Sequence, residues 1–477
     1  MKFYFYTFIL TLLTFSCENS SSVKGDLAYF GGEIINPCNS YITINNTIGS
    51  RDTIYLDKNN RFLHKIDNLT PGLYSFTHGG EYQSILLEPN DSLLFRLNTN
   101  DFDESLVYTG LGAKKNNYLI KSFLNDEIEN KEFMNTSHLE PEVFMKHMKK
   151  LRKRKLAHLE KFMSNKETSD LFKNIVKSSI DYSHYAYHEM FPFGYYGNNK
   201  LIHFKDLPEG FYDYRNEINL NDEKLSDLYV YNRFLFWHFN NMALKQFYSH
   251  GHHEAFNRMA YDYNIEKLRL IDSTITSEKI KNYLLKHTTK DFILNTENNS
   301  ETNNMIKYYL EKTSNSEDKS YIKDLAITAE TLRPQNILPD AGLINFNGND
   351  LKLSAIIDSP TVIYCWSTNF KMHSRNSHYR IKELKEKFPK VNFIAINFND
   401  NDIHYWKKTL RSLKYPSKNE FMFSNPSKAI EEYLITFSHK VFVVNEQMEI
   451  ISSNTGLFSE DMIESLKKVS SLSKSIR

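Results

Sequence analysis

The spacing of the hydrophobic residues changes twice along this 477-residue chain, and the changes divide it into three parts. Short β-branched and aromatic runs, separated by Pro-Gly and Gly-Gly turns, predict strands over residues 28–109. Apolar residues at three- and four-residue spacing predict helices over residues 110–335. Strand and helix patterns alternate over residues 336–477, after a Pro-bounded linker. A chain of this length needs more than one core, so the sequence predicts a multidomain α+β protein.

The strands of the first part predict an antiparallel β-sandwich. The clearest local pattern is "ILLEPNDSLLFRL", in which the apolar runs 85–87 and 93–97 flank a turn at residues 89–91. Two such runs around a Pro-Asn-Asp turn predict a β-hairpin.

The helical middle carries no motif of a known chemistry. Its most regular segment predicts one amphipathic helix with Phe144, Met148, Leu151, Leu159 and Phe162 on the buried side. The basic cluster at residues 149–155 is interpreted as the solvated face of that helix rather than as a site for nucleic acid or acidic lipid. The balance of 59 basic and 58 acidic residues gives no electrostatic argument for a nucleic-acid partner.

Two histidine groups in the helical middle have the spacing of metal ligands. His184 and His188 are four residues apart, and "HGHHE" spans residues 250–254. Neither group contains the His-Glu-x-x-His arrangement, and two ligands do not complete a metal site. The sequence therefore predicts no metal or other cofactor here.

The first residues have the features of an export signal. Lys2 precedes an uncharged apolar run over residues 3–15, which is too short to cross a bilayer and is typical of a signal h-region. The run ends in Ser16 and Cys17. This end resembles the lipobox of bacterial lipoproteins, in which the cysteine is acylated and becomes the mature N-terminus.

The lipobox resemblance implies a lipoprotein signal peptide at residues 1–17 and a polar tether at residues 18–27. Thr14 and Phe15 depart from the family pattern, which has leucine and a small residue at these positions. The protein is then expected to be membrane-anchored in the cell envelope, facing the periplasm. The alternative is a cleaved secretory signal and a secreted protein.

The last 140 or so residues resemble a known fold family. "TVIYCWST" reads as a strand, "SHYRIKELKEKF" as a helix, "VNFIAINF" as a strand and "KVFVVNEQMEIISS" as a late hairpin. This order, with the opening "PDAGLINFNGNDLKL", is similar to the thioredoxin fold of membrane-anchored TlpA-like proteins. The resemblance implies a thioredoxin-like α/β domain at residues 336–477.

In that family two cysteines, separated by two residues, follow the strand that ends in Trp366. The first is activated at a helix N-terminus and attacks disulfides, and the second resolves the mixed disulfide. In this chain Phe370 and His373 occupy those positions, and His439 replaces the usual cis-proline. The resemblance therefore implies a degenerate active site that has lost its redox chemistry.

The remaining cysteines do not restore that chemistry. Cys365 lies within the apolar strand and is predicted to be buried, and Cys38 belongs to the first part of the chain. A redox-inactive binding or scaffold module is therefore predicted, with an envelope protein or peptide as its unidentified partner. Phe370, Met372 and Phe437 would supply apolar contacts, while His373 and His439 supply polar ones.

Three alternatives to a binding surface stay open. The apolar residues at the start of the helix could simply pack over it. His373 and His439 could bind copper or zinc, with His378 or Asn369 as a third ligand. The chain could also act as a TlpA-like oxidoreductase together with the thiols of a partner.

Overall fold

The structure is a computed structural model, which describes residues 26–45, 51–164, 168–196, 202–251, 256–296, 298–368, 370–399, 403–435, 440–453 and 455–472. The described residues divide into two compact units, one formed by residues 26–78 and 82–121, the other by residues 79–81 and 122–472. The first is rich in strands, and the second contains a helical middle and a C-terminal sheet. The predicted order of a β-rich part, a helical part and an α/β part is confirmed.

The strands of the first unit form two four-stranded sheets, with orders β4-β1-β7-β8 and β3-β2-β5-β6. A short helix α1 (Phe102–Ser105) precedes the last strand. The strands are β1 (Leu27–Ile35), β2 (Tyr41–Asn45), β3 (Arg51–Tyr55), β4 (Arg61–Asp67), β5 (Gly72–His78), β6 (Glu81–Leu87), β7 (Ser92–Asn98) and β8 (Val107–Leu111).

An aromatic cluster joins the two sheets. Phe30, Phe62 and Phe95 come from one sheet and Phe76 from the other, and all four are buried. The ring centroid of Phe76 lies 5.0 Å from that of Phe95 and 5.4 Å from that of Phe30. Burial of each such ring contributes about 1.5–3 kcal/mol, so this cluster is a main source of stability for the unit.

The expected hairpin over residues 85–97 is wrong. Strands β6 and β7 lie in different sheets, so the turn between them carries the chain across the core. Asn90 adopts a φ of 71°, and the Asp91 carboxylate accepts a hydrogen bond from the Glu88 N–H (2.8 Å). Both runs bury apolar side chains in the same core, and they do so from opposite sides rather than side by side.

The predicted antiparallel arrangement also fails at one pair. Strand β1 pairs with β7 in parallel, from Tyr29 opposite Ser92 to Ile35 opposite Asn98. Parallel neighbours need a long crossover connection, and the chain between β1 and β7 supplies one by building the second sheet. The other pairs whose register is described in this unit are antiparallel.

Helices dominate the middle of the chain. They are α2 (Ala113–Thr136), α3 (Pro141–Ser164), α4 (Asp170–Tyr196), α5 (Tyr229–Ser249), α6 (Tyr261–Thr274), α7 (Glu278–Asn295), α8 (Asn299–Lys312) and α9 (Ser316–Thr331). Phe144, Met148 and Leu159 of α3 are buried, as the helical spacing predicts. No helix within the described ranges has the length and apolar character needed to span a bilayer.

The basic cluster of α3 divides between solvent and neighbouring helices. Lys149, Lys150, Lys153 and Arg154 are exposed, in agreement with a solvated face. Lys155 instead forms ion pairs with Asp126 and Glu129 of α2, and Arg152 with Asp181 of α4. Part of the cluster therefore holds helices together.

The C-terminal sheet has seven strands in the described ranges, in the order β10-β9-β13-β12-β11-β14-β15. They are β9 (Gly342–Asn345), β10 (Asp350–Lys352), β11 (Thr361–Trp366), β12 (Asn392–Asn397), β13 (Glu420–Phe423), β14 (Val441–Val444) and β15 (Ile450–Ser452). Strands β11, β12 and β13 are parallel, and β14 and β15 form the expected antiparallel hairpin. The predicted alternation of strands and helices in this part is confirmed.

Hydrophobic clusters cover both faces of this sheet. One face packs against α10 (Lys371–Lys387), α11 (Ile403–Leu413) and α13 (Glu460–Leu472), with Trp366 and Trp406 in its core. The other face packs against α12 (Pro426–Glu432), with Tyr433 in its core. Because side chains alternate along a strand, Trp366 and Cys365 of β11 point to opposite faces.

Candidate functional site

The candidate site lies where β11 ends and α10 begins. Trp366 is fully buried at the end of the strand, and Ser367 and Thr368 that follow are buried as well. The backbone N–H of Thr368 donates to the Asn399 side chain (2.8 Å), beyond the end of the neighbouring strand β12. This contact fixes the path of the chain as it leaves the sheet.

Two large apolar side chains are exposed at this point. Phe370 directly precedes α10 and is 47% exposed, and Met372 in the first turn is 78% exposed. His373 is half-buried, and its Nε2 lies 3.2 Å from the Ser377 hydroxyl one turn later. We call Phe370, Met372 and His373 the α10 entry face.

The Cys365 thiol lies away from this face. Cys365 is 2% exposed and points to the opposite side of the sheet, where it belongs to the same hydrophobic cluster as Phe442 and Tyr433. Burial raises the pKa of its thiol to about 12, so it is not a thiolate at neutral pH. Cys38, in the first unit, is half-buried. Within the described residues of the second unit, no reactive thiol stands at the start of α10.

A buried histidine–glutamate pair lies behind the α10 entry face. His378 of α10 places Nε2 3.0 Å from Oε1 of Glu420, the first residue of β13. The His378 side chain is 10% exposed and that of Glu420 4% exposed. Glu420 stands beside Ala395 of β12, which in turn pairs with Tyr364 of β11, so the pair lies over the middle of the sheet.

The geometry requires one shared proton in this pair. His378 Nδ1 lies 2.7 Å from the Ser374 carbonyl oxygen, which can only accept, so Nδ1 carries a hydrogen. A neutral imidazole with a hydrogen on Nδ1 has a bare Nε2. The contact with Glu420 therefore needs a second proton, either on Nε2 as an imidazolium or on the carboxyl group.

Aromatic rings exclude water from the pair. The Tyr415 ring stacks on the His378 ring with centroids 3.7 Å apart and an angle of 8° between the planes. The Trp366 ring meets the same imidazole edge-on at 5.2 Å. Burial raises the pKa of Glu420 above its ordinary value of 4.5, and the hydrogen bond from His378 opposes this rise.

The site residues that the sequence predicts lie in different parts of the structure. Trp366 is a core residue that contacts the buried pair, whereas Phe370, Met372 and His373 form the α10 entry face. Cys17, Asn369, Phe437 and His439 lie outside the described residues. His378 was a candidate metal ligand, but its imidazole turns inward to Glu420. Sequence reasoning missed Glu420, whose only signal is a glutamate that opens the apolar strand "EFMF".

His184 and His188 of the helical middle lie in its interior. The rings of His184 and His188 lie 4.4 Å apart and both are largely shielded. Burial lowers the pKa of His184 to about 2 and that of His188 to about 4, so both are neutral. His188 Nδ1 donates to the His184 carbonyl oxygen (2.9 Å). Residues 252–254 of the second histidine group lie outside the described residues. Among the residues that the structure describes, no group of three or more His, Cys, Asp or Glu side chains could hold a metal ion.

Comparisons with known proteins give similarity in part of the chain only. No family model and no curated protein sequence matches. Among solved structures, the chain is similar to the thioredoxin domain of a thiol-disulfide oxidoreductase from Bacteroides vulgatus, with 16% identity, a TM-score of 0.25, and coverage of 29% of this chain and 97% of that one.

Two further structures give similar values. A thiol:disulfide interchange protein from a Bacteroides species has 16% identity, a TM-score of 0.25, and coverage of 30% of this chain and 92% of its own. A domain of a possible thiol-disulfide isomerase from Cytophaga hutchinsonii has 19% identity, a TM-score of 0.25, and coverage of 30% and 97%. Identities and scores at this level do not transfer an activity to this chain.

Replacing His378 by leucine is expected to destabilise the second unit in a pH-dependent way. The substitution leaves the Glu420 carboxylate buried without its partner, which costs about 3–5 kcal/mol at neutral pH. The pKa of Glu420 then rises further, so the folded state keeps a proton that the unfolded chain has released. Stability of the variant should therefore fall as pH rises from about 5 to about 7, and urea unfolding across this range measures it.

A matched control is His373→Leu, on the same helix but half-buried and next to a neutral hydroxyl. We expect this change to lower the free energy of unfolding by about 1 kcal/mol or less, and the loss should depend little on pH. Equal losses for the two variants, or a loss for His378→Leu that does not change with pH, would contradict a buried proton-sharing pair.

Proposed function

We propose that this chain is an exported, lipid-anchored envelope protein whose thioredoxin-like C-terminal domain binds a partner protein or peptide and does not exchange disulfides. The N-terminal sheets and the helical middle would act as a scaffold that carries this domain. The α10 entry face occupies the positions that resemble the two-cysteine site of TlpA-like proteins, so the proposed domain has a degenerate active site.

The exposure of Phe370 and Met372 is the observation that carries this proposal. Single exposed apolar residues are ordinary on protein surfaces. Here an aromatic and a methionine side chain, 47% and 78% exposed, stand two residues apart at the end of a parallel strand. Aromatic and methionine side chains are enriched as anchors in protein interfaces, and His373 beside them adds a polar contact.

The backbone under this face is fixed before any partner arrives. The Ser374 N–H donates to the Phe370 carbonyl oxygen (2.9 Å), and the His378 imidazole donates to the Ser374 carbonyl oxygen. Thr368 is tied to Asn399 on the other side of Phe370. A surface that is already ordered loses little conformational entropy on binding, which favours recognition by these few side chains.

The position of the thiols supports the absence of disulfide exchange. Thiol-disulfide exchange needs an accessible thiolate. Phe370 and His373 supply no sulfur, and Cys365 is buried on the far face of the sheet with a raised pKa. The proposed ligand is therefore held by packing and hydrogen bonds.

The first prediction concerns redox activity. The purified mature protein should reduce insulin disulfides no faster than the background rate with dithiothreitol, and Cys365→Ala should leave that rate unchanged, since the buried thiol takes no part. Turnover well above background that is lost in Cys365→Ala or Cys38→Ala would contradict the proposed absence of disulfide chemistry.

The second prediction concerns the α10 entry face. Peptides selected from a random library against the mature chain should include a class that Phe370→Asp weakens by at least about tenfold, because a buried anchor contributes 1.4 kcal/mol or more. Fluorescence anisotropy measures the affinities, and circular dichroism confirms folding of the variant.

Ile430→Asp is the matched control, because Ile430 is 37% exposed on α12, which packs on the opposite side of the sheet. It should leave the affinity for these peptides unchanged. If no selected peptide distinguishes Phe370→Asp from Ile430→Asp, the entry face is not a recognition surface. Selection that depends on added copper or zinc would instead favour a metal site at His373.

The third prediction concerns the anchor. Cys17→Ser should move the protein from the membrane fraction to the soluble envelope fraction, because the acyl chains would supply its membrane affinity. Mass spectrometry of the mature N-terminus measures the lipid directly. A soluble and unacylated wild-type protein would overturn the anchor and leave a secreted protein.

A further inference from the structure

A cleft of about 310 Å³ opens in the helical middle of the second unit. Residues 204–215 form one wall, with short 3-10 turns at Phe204–Asp206 and Asp213–Asn216. Asn241 and Lys245 of α5 line the other side. This volume is near the lower limit for small-molecule sites, so the cleft fits a small ligand or one terminal residue of a peptide.

A network of buried polar side chains adjoins the cleft, and two of its members, Arg215 and Asn241, line it. The Glu189 carboxylate of α4 is fully buried, and it accepts hydrogen bonds from Arg215 Nε (2.9 Å), His238 Nδ1 (2.8 Å) and Asn241 Nδ2 (2.8 Å). Arg215 Nη2 bonds to the second carboxylate oxygen. These four residues span 53 positions of the sequence, so the fold has assembled and fixed them.

The same network holds Tyr212, which lines the cleft. The Tyr212 hydroxyl accepts a hydrogen bond from Asn241 Nδ2 (2.9 Å), and the Arg215 guanidinium lies 3.7 Å from the centre of the Tyr212 ring. Burial raises the pKa of Tyr212, so the hydroxyl keeps its proton at neutral pH. With Asn241 donating to its oxygen, this proton is left for another acceptor.

The cleft combines these donors with apolar walls and three charges. Phe204, Leu207, Pro208 and Phe211 supply the apolar surface. The charge of Arg215 is matched by Glu189 beneath it, whereas Lys245 is exposed at the cleft. Asp213 is the opposing charge, and its carboxylate folds back against Gly210, where an added Cβ would lie 3.0 Å from Oδ2.

We infer that this cleft binds a small carboxylate with an apolar body, such as the C-terminal residue of a peptide. The carboxylate accepts from the Tyr212 hydroxyl and the Lys245 ammonium, and the apolar body lies against Phe204 and Phe211. A hydroxyl and an ammonium group that line the same cleft supply one donor for each of the two oxygens of a carboxylate. This site is separate from the α10 entry face and does not depend on the function proposed for it.

The test uses two probes that differ in one group, N-acetyl-L-phenylalanine and its neutral amide. Ligand-observed NMR titration of the mature full chain measures both affinities. The acid should bind about three- to tenfold more tightly than the amide, because only the acid carries a charge opposite to that of Lys245.

Two variants should change the affinity for the acid in opposite directions. Lys245→Met should weaken binding of the acid about three- to tenfold, and Asp213→Asn should strengthen it to a similar degree. Neither should change binding of the amide. Lys307→Met, on the exposed face of α8, is the control for net charge and should change nothing.

Each remaining outcome overturns the inference. Absence of binding by the acid, equal binding of acid and amide, or a loss in Lys307→Met as large as that in Lys245→Met would show that the cleft has no carboxylate site. Weakened binding of the acid in Asp213→Asn would do so as well. Circular dichroism confirms folding of all three variants, whose substitutions are at exposed positions.

Discussion

The start of α10 depends on one proton that His378 and Glu420 share inside the C-terminal domain. His378 Nδ1 donates its hydrogen to the Ser374 carbonyl oxygen. The contact between Nε2 and Glu420 therefore needs a second proton, either on Nε2 or on the carboxyl group, and this is the proton that the pair shares. The contact ties α10 to β13 through a group that burial makes costly to ionise. Removal of either partner would leave a buried polar group behind, which is why the first turns of α10 are fixed before anything binds to them.

The rigid start of a helix can serve different purposes, depending on whether it carries cysteine residues. In a two-cysteine site the helix N-terminus lowers the pKa of a thiol. Here the start of α10 carries Phe370, Met372 and His373, and Cys365 of β11 points to the other face of the sheet. The fixed backbone therefore presents apolar side chains to solvent instead of a nucleophile.

Much of the architecture could be predicted from the sequence, since alternating strand and helix patterns mark each element of the C-terminal domain. The crossing of the chain between two sheets at residues 85–97 could not be predicted. Two apolar runs around a turn have the same sequence pattern whether they pair in one sheet or lie in two different sheets. Cys365 was predicted to be buried for the right reason, as part of an apolar strand. Glu420 and the network around Glu189 were missed because their partners are distant in sequence, and only the fold brings them together.

Nitrogen-15 NMR of the His378 imidazole across the pH range of stability tests the shared proton most directly. Nδ1 should carry a directly bonded hydrogen that faces the Ser374 carbonyl oxygen, and a second hydrogen should lie between Nε2 and the Glu420 carboxyl group. A hydrogen-free Nδ1, or the absence of a hydrogen between Nε2 and Glu420, would contradict the shared proton and the fixed helix start that depends on it.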